Sequence, residues 1–110
     1  MGNRVTVSIS NSRSYGEAPV NVYAHWLGED VYPIVHDLLR TTSRVGDHAY
    51  LTAQIIHAII SSNPNYDGTG FGVFAGPFDS SWDDNKPMFV DTDTGTYTIG
   101  YDGDEVNPNE

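Results

Sequence analysis

Cysteine is absent from the 110 residues, which excludes disulfides and thiolate zinc sites and fits a reducing compartment. Basic residues are scarce. Arg4, Arg13, Arg40, Arg44 and Lys86 stand against 15 acids, for a net charge of −10. A surface so poor in cations repels nucleic acid and membrane phosphates. No apolar run approaches the ~20 residues of a membrane span. The first residues lack the basic-then-apolar pattern of a secretory signal. There is no glycine-rich phosphate loop, no Gly-x-Ser-x-Gly and no His-Glu-x-x-His, so the common phosphate-binding, serine-hydrolase and zinc-protease signatures are missing.

Hydrophobic residues make up 38% of the chain and aromatics 12%, enough for one domain with a modest core. The acids are unevenly spread. Residues 67–110 hold ten of the fifteen against Lys86 alone, a balance of −9, while residues 1–66 come to −1. Such a half suits a cationic protein partner or metal ions, and it also serves plain solubility.

Local patterns give the elements in order. Residues 4–10 alternate, with Val5, Val7 and Ile9 on one face and Thr6, Ser8 and Ser10 on the other, as in a half-buried strand. Residues 11–19 form a polar loop. Residues 20–26 make a second strand, with Val20, Val22, Ala24 and Trp26 on one face. Gly28 breaks it. A helix over about 29–42 follows, striped by Val31, Ile34, Val35, Leu38 and Leu39, with Glu29 and Asp30 in its first turn. Asp47 is placed to cap a second helix, 48–62, apolar over most of its circumference. Residues 63–70 are dense in turn formers. Strands are expected at 71–75, 88–92 and 96–101, with an acidic loop at 77–87 and a hairpin turn at Asp93-Thr94-Gly95.

The order β-β-α-α-β-β-β predicts an α+β two-layer sandwich: a five-stranded, mainly antiparallel sheet with two helices on one face. Short connections favour antiparallel pairing of strands 1–2, 3–4 and 4–5. The expected core comprises Trp26, Leu38, Leu51, Ile55, Ile59, Val73, Val90 and Ile99. Residues 1–103 read as one domain and 104–110 as an acidic flexible tail.

Chemistry-bearing residues are few. A strand running into a helix through a tight glycine turn puts side chains at an element end, where sites are commonly built. That makes His25, Trp26, Glu29 and His48 candidate ligand-binding residues. Asp79, Asp83, Asp84, Asp91 and Asp93 are candidate partner-binding residues. No catalytic residue, metal ligand or cofactor is expected. The four histidines have no metal-ligand spacing, and His48 and His57 are too far apart along one helix to share an ion. Asp93-Thr94-Gly95 matches the aspartic protease tripeptide, but those proteases are nearly all β, and a hairpin turn accounts for it. Gly70-Phe71-Gly72 permits close approach of another backbone or ligand, with packing against the second helix the plainer use.

His25-Trp26 before a glycine and a helix, Asp47 with Tyr50-Leu51, Gly70-Phe71-Gly72-Val73, and Asp84-Asn85-Lys86-Pro87 leading to Val90-Asp91 recur in that order in a known group. Over roughly residues 20–93 the chain resembles a family of small, uncharacterised proteins of tailed phages and prophages. The resemblance carries no activity. It implies a phage accessory protein working in the host cytoplasm. By analogy with other small acidic phage proteins it implies an inhibitor of a host defence or other host factor, meeting a basic protein surface as a nucleic-acid mimic does. The alternatives are a small-molecule or nucleotide-signal sequestering protein with a pocket at the His25–Glu29 junction, and a small metal-dependent hydrolase. Neither a small ligand nor a homo-oligomer is settled by sequence. Direct nucleic-acid and membrane partners are not expected.

Overall fold

The computed structural model describes residues 2–11, 18–63 and 70–110. Residues 12–17 of the polar loop expected at 11–19, and 64–69 of the turn-dense segment expected at 63–70, lie outside them. The elements are β1 (Val5–Ser10), β2 (Val20–Ala24), α1 (Val31–Thr41), α2 (His48–Ser61), β3 (Phe71–Ala75), β4 (Met88–Asp91) and β5 (Thr96–Ile99). Single 3-10 turns at Gly28–Asp30 and Ser80–Trp82 complete them. The predicted α+β architecture is present: five strands in one sheet, with two helices against one face.

The helices form where the sequence stripes them. Val31, Val35 and Leu39 recur at helical spacing in α1 and are buried. In α2, Leu51, Ile55 and Ile59 do the same. The Asp47 side chain accepts the Tyr50 backbone N–H at 3.3 Å, capping α2 as its position predicts. Gly95 takes φ 70° in the β4–β5 turn, the left-handed conformation a tight hairpin demands. Facing these helices, Val5, Val7, Ile9, Val22, Ala24, Met88, Val90 and Tyr97 close the core from the sheet.

The strand order is β3-β2-β1-β4-β5. Antiparallel pairing holds for β1–β2 and β4–β5. The expected β3–β4 hairpin does not form. β3 pairs with β2, with Val22 opposite Val73, and β4 lies parallel to β1, with Val7 opposite Met88. The 76–87 connection is too long for a hairpin. It carries the chain past β2 and β1, about 14 Å at the usual strand spacing, over the sheet face opposite the helices. Several hydrogen bonds hold it there. Asn21 Nδ2 donates to Gly76 O at 2.7 Å, and Thr6 Oγ1 donates to Asp83 Oδ2 at 2.9 Å. The Asp84 and Asn85 backbone N–H groups both donate to Arg4 O at 3.1 Å. This cover buries Thr6, Ser8 and Asn21 on a face that alternation alone assigns to solvent.

Two expected core residues are at the surface. Trp26 is 58% exposed because β2 ends at Ala24 and the chain turns before the indole can reach the core. Val73 is 52% exposed because β3 is an edge strand and the core does not extend to its middle. Leu51, Ile55, Ile59 and Val90 are buried as expected, and Leu38 and Ile99 pack partly against them. At the other edge, Val106 exchanges both backbone hydrogen bonds with Tyr97, at 2.7 and 3.1 Å, and Pro108 is buried. Thr96 Oγ1 donates to Glu105 Oε1 at 2.7 Å. Part of the predicted tail thus lies against β5.

Candidate functional site

The face carrying the 76–87 connection is lined with aromatic rings. Phe74 and Phe89 project from β3 and β4, Phe78 and Trp82 from the connection, and Tyr101 from just beyond β5. They run in contact across the sheet. Phe74 and Phe78 have ring centroids 6.5 Å apart, Phe78 and Phe89 6.1 Å, and Phe89 and Tyr101 5.3 Å, all tilted or edge-on as aromatic quadrupoles prefer. Ser80 and Tyr101 hydroxyls lie 3.0 Å apart and tie the connection to the end of the row. Trp82 is 73% exposed and Tyr101 69%. A row of exposed large rings is the kind of surface that partner proteins cover.

Three carboxylates rim this face. Hydrogen bonding from Ser81, first from its hydroxyl and then from its backbone N–H at 2.9 Å, holds the Asp79 carboxyl below the usual range. Burial pushes the Asp83 carboxyl up, although the Thr6 hydroxyl and the Arg4 charge pull the other way. Asp84 Oδ2 accepts the Arg4 backbone N–H at 2.9 Å and its Nε at 3.3 Å, and these bonds keep it low. Arg4, Thr6, Tyr23, Phe78, Trp82 and Asp83 are among the walls of an open hollow of ≈ 350 Å³ on this side.

The other two acids predicted to meet a partner are elsewhere. Asp91 pairs with Ser10, at the end of β1 away from Arg4. Thr6 and Ser10 are about 13 Å apart along a strand. Asp91 Oδ1 accepts the Asp93 N–H at 2.9 Å, and Asp93 itself is buried. These two residues shape the β4–β5 turn.

The predicted ligand residues also separate. His25 and Trp26 stack edge-on, ring centroids 4.4 Å apart, and His25 Nδ1 lies 2.6 Å from the Tyr23 hydroxyl. With Gly70 and Phe71 they line an open hollow of ≈ 330 Å³. Glu29 borders a different hollow, with Tyr32, Lys86 and Ile99. His48 sits at the opposite end of the sheet, where its Nδ1 is 2.8 Å from Thr92 Oγ1. The same hydroxyl lies 3.1 Å from Ser10 O and so bridges α2 to the end of β1. Gly70 packs against the Trp26 indole, and Gly72 faces open space; neither meets α2 as expected. Among the described residues no group of three or more His, Asp or Glu side chains could hold a metal ion.

Sequence reasoning found the acids of the 76–87 connection but overlooked its rings. The signal was available in the run Phe74, Phe78, Trp82, Phe89, where aromatics recur through a stretch too long and polar to be core. No family model, curated protein or solved structure matches the chain.

Proposed function

We propose that this protein acts by binding, and that its aromatic face, rimmed by Asp79 and Asp83, docks a basic surface of a partner protein. The observation that carries this reading is the ring row from Phe74 to Tyr101, with the exposed Trp82 sharing a hollow with Phe74 and Phe78, carboxylates beside it and, among the described residues there, one arginine, Arg4, already engaged by Asp84. Exposed aromatics supply rigid contact area, and the carboxylates supply sign selectivity and steering. The acidic-mimic reading is proposed in narrower form. Asp79, Asp83 and Asp84 belong to the docking face, while Asp91 and Asp93 do not. The resemblance to tailed-phage proteins supports a host protein as the partner, a host cytoplasm as the setting and inhibition of a host defence or other host factor as the outcome.

The indole of Trp82 reports on this face directly. In a Trp26→Phe background its emission should shift to the blue on titration with lysine- and arginine-rich peptides, and the response should weaken with salt as charge attraction is screened. Asp79→Asn with Asp83→Asn should weaken it further. A face indifferent to basic peptides and to salt refutes the proposal.

A second reading rests on the Tyr23–His25–Trp26–Phe71 hollow, whose aromatic walls suit a planar ring such as a nucleobase. A thermal-shift screen with nucleotides checks it, because a ligand of the native state raises the melting temperature by mass action. His25→Ala should abolish that shift while leaving the unliganded melting temperature nearly unchanged.

A further inference from the structure

The hollow bounded by Trp82 begins with a missing side chain. Thr6, Tyr23 and Gly72 stand in register across β1, β2 and β3. Strand alternation turns all three positions, with Phe74, toward the face opposite the helices. Gly72 contributes no bulk there, and among the described residues nothing lies within 4 Å of where its side chain would begin. The space beside Tyr23 and Phe74 is therefore left open, and the 76–87 connection walls it with Phe78, Asp79, Trp82 and Asp83. At ≈ 350 Å³ it matches the small end of ligand sites, ~300–1,000 Å³, and suits one inserted side chain better than a flat contact.

Its polar groups call for a cation that can donate hydrogen bonds. Asp83 is partly buried, and its Oδ2 accepts the Thr6 hydroxyl at 2.9 Å. Its Oδ1 has no hydrogen-bond partner among the described residues. Arg4 is drawn to Asp84, which its Nε meets at 3.3 Å. Arg44 over Tyr50, at 4.6 Å, is the one cation–π contact among the described residues, so no described cation occupies these rings. Four rings with a free carboxylate oxygen beside them are the two halves of a cation site. A quaternary ammonium would satisfy the rings and leave Asp83 Oδ1 unbonded. A lysine ammonium is strongly hydrated and loses more on leaving water. A guanidinium is planar and weakly hydrated, stacks on an indole, and donates to a carboxylate through paired N–H groups.

We infer that this hollow is an arginine receptor, in which one arginine side chain of the partner protein stacks on the rings and donates to Asp83. The inference rests on the docking role proposed for the aromatic face and narrows it to one residue type. Asp79, exposed at the rim, adds attraction without a buried bond. Trp82, the most exposed ring, closes over the guanidinium and supplies the preference for arginine over lysine.

Isothermal titration calorimetry of the full chain tests this with three peptides equal in length and charge, built on arginine, lysine or trimethyllysine. The arginine peptide should bind tightest, about fivefold tighter than the lysine one, the size of a single cation–π contact at an exposed site. Trp82→Leu keeps apolar area without a π face and should bring the arginine peptide down to the level of lysine. Trp82→Phe should restore most of the preference. Asp83→Asn should weaken the arginine peptide more than the lysine peptide. Trp82 is 73% exposed, so its substitutions leave the fold intact. Equal binding by arginine and lysine, tighter binding by trimethyllysine, or an arginine preference that survives Trp82→Leu overturns the inference and leaves the broader docking reading standing. A chain that binds none of the three at low salt overturns both.

Discussion

Replacing Ile55 with alanine tests the packing of the helical layer on the sheet. Ile55 is fully buried in the middle of α2, among core residues from α1 and from the sheet. The substitution removes three carbons, worth about 2.4 kcal/mol at ~0.8 kcal/mol each. The cavity left behind adds roughly 24 cal/mol per Å³ that the neighbours fail to refill. A total of about 2.5–4 kcal/mol follows, with the upper end expected because strands and helix are clamped from both sides. At ~4 °C per kcal/mol for a domain of this size, the melting temperature should fall by roughly 10–16 °C. Urea unfolding followed by circular dichroism measures the difference, with the denaturant slope unchanged if the fold is intact. Val73→Ala is the matched control. Val73 is half exposed, so it should cost under about 1 kcal/mol. An Ile55→Ala cost below ~1 kcal/mol, or equal costs at the two sites, would refute the assignment of the core.

Thr92→Val keeps the shape of a fully buried side chain but removes the hydroxyl between Ser10 O and His48 Nδ1, while Ser10 O keeps the Thr92 backbone N–H at 3.0 Å. It should cost about 1 kcal/mol in denaturant unfolding, and a neutral effect would mean neither hydroxyl bond matters. Gly28→Ala should be strongly damaging, because Gly28 is buried, has φ 55°, and a Cβ there would collide with the Asn3 amide. A variant that melts with the parent would show that this turn relaxes freely. Asp84→Asn should flatten the acid limb of the stability curve. The folded carboxyl is held low by Arg4, so its contribution is present above the ordinary carboxylate pKa of ~3.9 and lost as pH falls through the folded value. Asp83 works in the opposite sense. Burial raises it, so its contribution is full below the unfolded pKa and lost as pH rises through the folded one; Asp83→Asn should gain relative stability toward neutral pH.

Local chemistry was legible in the sequence and long-range pairing was not. The apolar face of β1, the stripe of α1, the Asp47 cap and the Gly95 turn each depend on residues within one or two turns of each other, and each is found as read. The β3–β4 pairing failed because sequence adjacency was taken for spatial adjacency across a connection too long for a hairpin. That connection covers the face that alternation assigns to solvent. The burial of Thr6, Ser8 and Asn21, and the exposure of Val73, follow from topology and not from pattern. His25 and His48 looked like partners because each opens or closes an element. The sheet places them at opposite ends, and only the register of β1 with β2 and β4 reveals it.

The charge asymmetry has the same lesson for function. Along the chain the acids gather after residue 67, and the gathering suggests one acidic surface. In space they divide. Asp79, Asp83 and Asp84 stand by Arg4 at the start of β1. Asp91 and Asp93 are consumed in building a turn beyond Ser10. Glu105 bonds to Thr96 at the β5 edge. What sets Asp79 and Asp83 apart is that they share a hollow with Phe74, Phe78 and Trp82, rings that offer a partner apolar area to bury. Charge steers an encounter, and desolvated aromatics hold it. Trp82→Ala should therefore slow association far less than it speeds dissociation: the off-rate from a basic partner rises while the on-rate keeps its salt dependence. Asp79→Asn with Asp83→Asn should do the reverse, lowering the on-rate and flattening its response to salt. Surface plasmon resonance at two ionic strengths separates the two. If both substitutions act on the same rate constant, rings and carboxylates do not divide the work in this way.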